Sequence, residues 1–333
     1  MQQGFEFGVA IAGCGSSVPA VTLSNQEMSQ IVETSDDWIA SRTGIRQRHL
    51  AQGSDALATL AAAAARQALT HAGVSPLEVD LIVLATSTPD DLFGSAAKVQ
   101  AQLAAHQAIA FDLTAACSGF LFGLVTAAQF IRTGTYRTVL LIGADVLSRW
   151  TDWSDRRTCV LFGDGAGAVV LRAGERDRLL GFELRSDGTL NGCLNLSYGG
   201  VAQELFPNVA VDQGTFQPIT MNGQEVYRFA VKQVPEVIEK ALYRAGLTVD
   251  QIDWLLLHQA NQRILDAVAQ RLGIPSHKVI SNMAAYGNTS AASIPLALDE
   301  YVRQGKIQPG DTIASAGFGA GLSWGAAIFQ WGI

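Results

Sequence analysis

Ala68-Leu69-Thr70-His71-Ala72-Gly73, followed by Asp80 and the apolar run Leu81-Ile82-Val83-Leu84-Ala85, is the stretch on which the fold turns. It returns as Ala241-Leu242-Tyr243-Arg244-Ala245-Gly246, followed by Asp253 and Trp254-Leu255-Leu256-Leu257, at a constant offset of 173. In each copy an Ala- and Leu-bearing segment stops at a glycine, the residue that ends helices in the left-handed conformation. A continuous apolar run then reads as a strand buried on both faces of a sheet. A second match, Arg132-x-Gly134 with Arg303-x-Gly305, has an offset of 171, and at that offset Cys117 falls on Asn288. Two matches at nearly one offset read as a duplication, with a period too long for a solenoid. The chain is expected to form two similar α/β halves, residues 1–172 and 173–333, joined through the polar stretch 173–177.

Working outward, helix-like and strand-like segments alternate, as in α/β folds. Ser54 reads as the N-cap of a helix over residues 55–72, and residues 79–85 as a strand. Phe111 to Leu113 closes another strand, 117–132 reads as an apolar helix, and 138–143 as the next strand. In the second half, 224–245 reads as a helix that Pro235 should kink. Residues 252–257 form a strand, 289–304 a helix and 312–315 a strand.

A chain of 333 residues, 48% hydrophobic and 16% charged, is long and apolar enough for a large core. The net charge of −7 argues against a general nucleic-acid binder, so any acidic partner must meet a local basic patch. The four cysteines are too few and scattered for a disulfide framework, and the five histidines lack metal-ligand spacing. No apolar run approaches the ~20 residues of a membrane span. Ile11-Ala12-Gly13-Cys14 has the look of a lipoprotein cleavage site, but the first basic residue is Arg42, so a buried strand is the better reading. These features suggest a soluble, cytoplasmic protein.

Chemistry is concentrated in a few segments. In Phe111-Asp112-Leu113-Thr114-Ala115-Ala116-Cys117-Ser118-Gly119-Phe120, a strand leads through small residues to a cysteine at a helix start. Unpaired N–H groups and the helix dipole there would stabilise a thiolate, the nucleophilic form. Taken alone, Cys117 is more readily an inert core residue, since Cys is among the most buried types. His258 stands at the end of a buried strand, where open α/β sheets place ligand groups. Asn288, in Tyr286-Gly287-Asn288-Thr289-Ser290, reads by itself as an N-cap. Gly317-Phe318-Gly319-Ala320-Gly321 and Gly163-Asp164-Gly165-Ala166-Gly167 are glycine loops open to close backbone approach. Neither has the spacing of a dinucleotide fingerprint.

Together, TAACSGF around Cys117, HQANQR from His258, YGNTSAAS around Asn288 and the terminal GFGAGLSWG closely resemble the β-ketoacyl-acyl-carrier-protein synthase III family. The resemblance runs nearly end to end and includes Thr34 to Ile39, Arg42 to Arg46, Phe162 to Ala168 and Met221 to Val226. It implies the thiolase fold, two duplicated halves in five αβαβα layers. The glycine loop lacks the second cysteine of thiolases. Asn288 stands where elongating ketoacyl synthases carry a second histidine.

The resemblance also implies an activity. Acetyl-CoA and malonyl-acyl-carrier-protein would give acetoacetyl-acyl-carrier-protein, CO₂ and CoA, with acetyl-CoA a substrate and no cofactor. Cys117 would be the nucleophile, with its N–H and that of Ala320 as the oxyanion hole. His258 and Asn288 would act on the malonyl unit. Thr34, Trp38, Arg42, Arg156, Gly223 and Asn261 would bind CoA. Gln259, Ala260, Asn261, Gln262, Arg263 and Arg228 would meet the carrier protein. Phe93 and Phe318 would serve the acyl pocket and a homodimer contact. The two alternatives are an acyltransferase or condensing enzyme of secondary metabolism, and a non-catalytic acyl or CoA binder.

Overall fold

The computed structural model describes residues 7–53 and 56–333. Ser54 and Asp55, expected at the start of a helix, lie outside the described residues. The first half runs through β1 (Gly8–Ser17), α1 (Asp36–Thr43), α2 (Leu57–Ala72), β2 (Leu81–Ala85), α3 (Ala96–Leu103), β3 (Ile109–Leu113), α4 (Gly119–Arg132), β4 (Thr138–Asp145) and β5 (Gly165–Gly174). These five strands form one sheet of order β1-β5-β4-β2-β3, beside a short pair, Thr22–Ser24 with Gln47–His49. The second half continues through β6 (Leu179–Ser186), a hairpin of β7 (Tyr198–Phe206) and β8 (Val209–Phe216), and α5 (Gly223–Ala245). After these come β9 (Trp254–Leu257), α6 (Gln262–Leu272), α7 (Ser293–Arg303), β10 (Thr312–Gly319) and β11 (Ser323–Gln330). Its sheet has the order β6-β11-β10-β9.

The two sheets correspond strand for strand: β1 with β6, β5 with β11, β4 with β10 and β2 with β9. Each runs antiparallel, antiparallel, then parallel in its pairings. The counterpart of β3 is reduced to a single parallel bridge between Leu255 and Val279. Helices α4 and α7 pack between the sheets, α2 covers the outside of the first and α5 the outside of the second. This makes five layers. The continuous apolar run of β2 follows directly: Leu81 and Val83 face the central core, Ile82 and Leu84 the outer one.

Helix ends explain several departures from the sequence reading. Helix α2 starts at Leu57, and Ala56 offers no capping side chain. Asp90 supplies the cap from a distant loop, its carboxylate accepting from Leu57 N at 3.1 Å and Ala58 N at 2.9 Å. Helix α5 runs unbroken through Pro235. The missing proline N–H leaves the Val231 carbonyl without its helical partner. Arg271 Nη1, from α6, donates to that carbonyl and to Lys232 O, both at 3.2 Å.

The helices expected at residues 117 and 289 begin later, at Gly119 and Ser293, each after one 3₁₀ turn. Each turn opens on a non-glycine residue in the left-handed region, Ala116 at φ 48° and Ser290 at φ 51°. This backbone match pairs Cys117 with Ala291, not with Asn288. Gly163–Gly167 is no ligand loop, since Gly165 and Gly167 lie inside β5. A Cβ at Gly167 would stand 2.6 Å from Leu296 N, so glycine is what lets α7 pack on the sheet. Cys14 is buried within β1. Among the described residues no helix is long and apolar enough to cross a membrane.

Candidate active site

Three elements from the two halves converge. The 3₁₀ turn Ala116–Ser118 presents Cys117, the end of β9 presents His258, and the loop before Ser290–Ala292 presents Asn288. All three line one cavity of about 580 Å³, and all are buried. The Ser290 hydroxyl donates to Cys117 Sγ at 3.3 Å. The Asn288 backbone is held on both sides, its N–H donating to Leu161 O at 2.9 Å and its carbonyl accepting from Gly163 N at 3.0 Å. Its side-chain Oδ1 accepts from Ser290 N at 2.9 Å. Asn288 nevertheless stands before both helix starts, since Thr289 is the N-cap of the 3₁₀ turn and Ala292 that of α7. With Oδ1 so engaged, the Nδ2 donor is left to the cavity.

The electrostatics overturn one expectation. Burial pushes the Cys117 thiol up to about 12. The Ser290 hydrogen bond and the residue's own backbone N–H pull the other way, while the Asp145 carboxylate adds to the rise. The resting nucleophile is a thiol, not a stabilised thiolate, because desolvation outweighs the turn's dipoles. Asp145 is wholly buried, accepting from Thr86 Oγ1, Thr88 Oγ1, Ser87 N and Ala291 N. Burial also raises its carboxyl above the ordinary range. Burial pulls His258 down to about 3, so its imidazole is neutral around pH 7. Its Nδ1 lies 2.7 Å from Ser293 Oγ, and the Phe318 ring stands edge-on at 5.6 Å.

Ala320 follows Gly319 and, with Cys117, lines a second cavity, not the one that holds His258 and Asn288. A Cβ at Gly319 would come within 2.6 Å of Cys117 N, so only glycine allows this approach. Gly317 is less tight, its Cβ position 3.3 Å from the His258 Cβ.

Phe318, Ala260, Asn261 and Gly223 line the same cavity as His258, as do the half-buried Trp38 and the exposed Arg42 and Arg156 on its solvent side. The Arg42 and Arg156 guanidinium carbons lie 4.5 and 5.4 Å from the Trp38 ring centre. Arg228 and Arg263 line the same cavity and are exposed, with Arg263 over the Tyr227 ring.

Several expected residues fall elsewhere. Thr34 is not among the lining residues, and its Oγ1 is buried with no hydrogen-bond partner among the described residues. Gln259 faces inward: its Nε2 donates to Leu257 O and Ile280 O, and its Oε1 accepts from Asn282 N. It is a core amide, with no side-chain surface for a partner. Gln262 is half-buried and tied to Asp266 and Ser281. Phe318 belongs to the His258 cavity, while Phe93 lines a second, more open cavity of about 1,360 Å³ with Ala320 and Ser290. Cys117, Phe162 and Leu194 line both. Sequence reasoning missed Ser290, Ser293 and Asp145, whose proximity to the cysteine and histidine comes only from chain crossings. Among the described residues no group of three or more His, Cys, Asp or Glu side chains is placed to hold a metal ion.

A buried cysteine where two like halves of a five-layer sheet structure meet, with an asparagine and a neutral histidine on the same cavity, is the arrangement of the thiolase-like condensing enzymes, which are acyltransferases. Residues 111–188 match the family model described as 3-oxoacyl-[acyl-carrier-protein] synthase III, and residues 242–331 match that of its C-terminal part. The chain belongs to the 3-oxoacyl-[acyl-carrier-protein] synthase III family.

Beta-ketoacyl-[acyl-carrier-protein] synthase III of Nostoc sp. is 72% identical over 325 residues, covering 98% of each chain. The protein of the same name from Synechococcus elongatus is 69% identical over 326 residues, covering 98% of this chain and 97% of that one. Among solved structures, 3-oxoacyl-[acyl-carrier-protein] synthase III from Aquifex aeolicus has 42% identity and a TM-score of 0.88, covering 97% of this chain and all of that one. The priming β-ketosynthase of the R1128 polyketide biosynthetic pathway has 36% identity and a TM-score of 0.89, covering 100% and 98%.

Proposed function

We propose that this enzyme condenses acetyl-CoA with malonyl-acyl-carrier-protein, giving acetoacetyl-acyl-carrier-protein, CO₂ and CoA, the initiating step of fatty acid synthesis. The observation that carries the reading is the single cavity joining Cys117, His258 and Asn288 to an arginine- and tryptophan-lined mouth. Relatives at 69–72% identity over almost the whole chain favour it over a role in secondary metabolism.

In the first half-reaction Cys117 attacks the acetyl thioester carbonyl. A C–S bond forms to Cys117, the bond to CoA breaks, and the cysteine proton ends on the CoA sulfur. The Ser290 hydroxyl and the Cys117 N–H stabilise sulfur charge as the proton leaves. The Cys117 and Ala320 N–H groups hold the tetrahedral oxyanion.

In the second half-reaction malonyl loses CO₂, and the electron pair moves into an enolate. His258 and Asn288 Nδ2 donate to the thioester oxygen as charge gathers there. The enolate carbon attacks the acetyl carbonyl, and collapse expels Cys117, which regains a proton from solvent. A neutral histidine suits this role, because donation to a developing anion needs an N–H and no net charge. Cys, His and Asn suffice, with no cofactor.

Trp38, Arg42 and Arg156 hold the nucleotide end of CoA; a base stacked on Trp38 would displace one of the two arginines. Gly223 and Asn261 flank the pantetheine arm. Arg263 and Arg228 receive the acidic carrier protein at the mouth. The fully exposed Phe93 and the edge strand β3, with Ile109 more than half exposed, need covering, and a homodimer does so. The enzyme works in the cytoplasm as two tightly packed halves, the junction falling just after the expected 172/173 boundary because β5 runs on to Gly174.

The test is a panel of acyl-CoA primers with malonyl-acyl-carrier-protein, products weighed by mass spectrometry. Acetoacetyl-acyl-carrier-protein is the expected product. A preference for another acceptor would favour secondary metabolism, and the absence of any Cys117 adduct a binding role.

A further inference from the structure

Ser293 opens α7 in the second half and is buried against His258. Its hydroxyl has two neighbours. The Gln259 backbone N–H donates to Oγ at 3.3 Å, and His258 Nδ1 lies 2.7 Å away. A hydroxyl carries one hydrogen and two lone pairs. The Gln259 contact occupies a lone pair, because a backbone N–H only donates. A serine that follows a helical turn can donate back to a carbonyl of that turn. Among the described residues Ser293 has no such bond, so His258 Nδ1 is the sole acceptor within reach of its hydrogen. The alternative, in which Nδ1–H donates to Oγ, leaves a buried O–H with nothing to bond, which is unfavourable.

From this we infer that Ser293 is a positioning residue that fixes the His258 tautomer: Ser293 O–H donates to Nδ1, the ring hydrogen sits on Nε2, and Nε2–H is the donor aimed into the cavity. Its catalytic consequence rests on the proposed condensation, since only an Nε2–H can donate to a malonyl thioester oxygen. Ser293 fixes one ring nitrogen, the Phe318 ring at 5.6 Å limits rotation, and the backbone N–H of His258, donating to Ala316 O at 2.8 Å, anchors the main chain that carries the ring. A histidine whose second nitrogen is oriented by a partner is how enzymes settle which nitrogen does chemistry. Here a neutral hydroxyl replaces the carboxylate common in that role, and it adds no negative charge that would draw a proton onto the ring.

Two measurements on the intact protein test this. The first is nitrogen NMR of wild-type protein labelled with ¹⁵N-histidine, with the His258 signals assigned by their loss in His258→Ala. A protonated Nε2 and a bare Nδ1 are expected; a protonated Nδ1 overturns the inference without any change at Ser293. The second compares half-reactions in Ser293→Ala. Malonyl-acyl-carrier-protein decarboxylation should fall about 10–100-fold, in the range for loss of a partner that orients a working histidine. Cys117 acetylation should stay within about threefold. Unchanged decarboxylation, or equal loss of both half-reactions in a folded variant, sinks the idea. If wild-type protein does not decarboxylate malonyl-acyl-carrier-protein at all, the functional reading fails, while the NMR result still decides the tautomer.

Discussion

Ser290 Oγ donates to Cys117 Sγ at 3.3 Å, so the nucleophile of the first half is held by a hydroxyl of the second. Both residues sit in 3₁₀ turns that open in the left-handed region, an uncommon conformation for non-glycine residues and one held by packing between the halves. The duplication thus supplies two copies of one strained turn, one carrying the nucleophile and the other its hydrogen-bond donor.

The buried thiol has a consequence for reactivity. With Cys117 pushed up to about 12, the free enzyme carries little thiolate at neutral pH. Alkylation of Cys117 by iodoacetamide, followed by peptide mass spectrometry, should keep accelerating as pH rises through 9 and 10. A rate that levels off near pH 7 would show a thiolate stabilised beyond what this environment allows.

His258 and Asn288 should separate the half-reactions. His258→Ala and Asn288→Ala are each expected to lose malonyl decarboxylation by roughly 10²–10³-fold, the usual effect of removing one oxyanion donor. Acetylation of Cys117, read by intact mass, should largely survive and should vanish in Cys117→Ser. Wild-type decarboxylation in both variants would contradict the assignment of these two side chains to the enolate.

Gly319→Ala tests the close approach behind the nucleophile. The new methyl would stand 2.6 Å from Cys117 N, so the turn or β10 must move. Overpacking of this kind costs about 1–3 kcal/mol and disturbs the oxyanion site. Thermal unfolding should drop by several degrees and Cys117 acetylation should slow by at least ~10-fold. A variant with unchanged melting and acetylation would mean that this contact is loose.

Arg263→Glu addresses the partner. Exposed charges at a cavity mouth steer association and are screened over ~8 Å at physiological salt. The kcat/KM for the carrier-protein substrate should fall about 10-fold, added salt should mimic that loss in the wild type, and acetyl-CoA kinetics should change little. Equal losses for both substrates would indicate general damage, and no loss would put docking elsewhere.

The amino-acid sequence by itself determined the two-half α/β plan. The central strands are buried on both faces, and each helix–glycine–strand unit leaves a periodic trace that survives duplication. It also pointed to Cys117, His258 and Asn288, but only as a set resembling a known family, because taken singly a cysteine, a histidine and an asparagine in such places read as readily as core residues or a helix cap. Tertiary structure alone decided the rest. Gln259 and Arg263 belong to one short segment, yet one is a core amide and the other faces solvent. Phe93 and Phe318 line different cavities that share Cys117. The thiol is protonated because burial, a property of the packed halves, outweighs the local dipoles that the sequence makes visible. Ser290, Ser293 and Asp145 reach the site only where the halves close on each other. Hydrogen bonds and desolvation act over a few ångströms of space, whatever the separation along the chain.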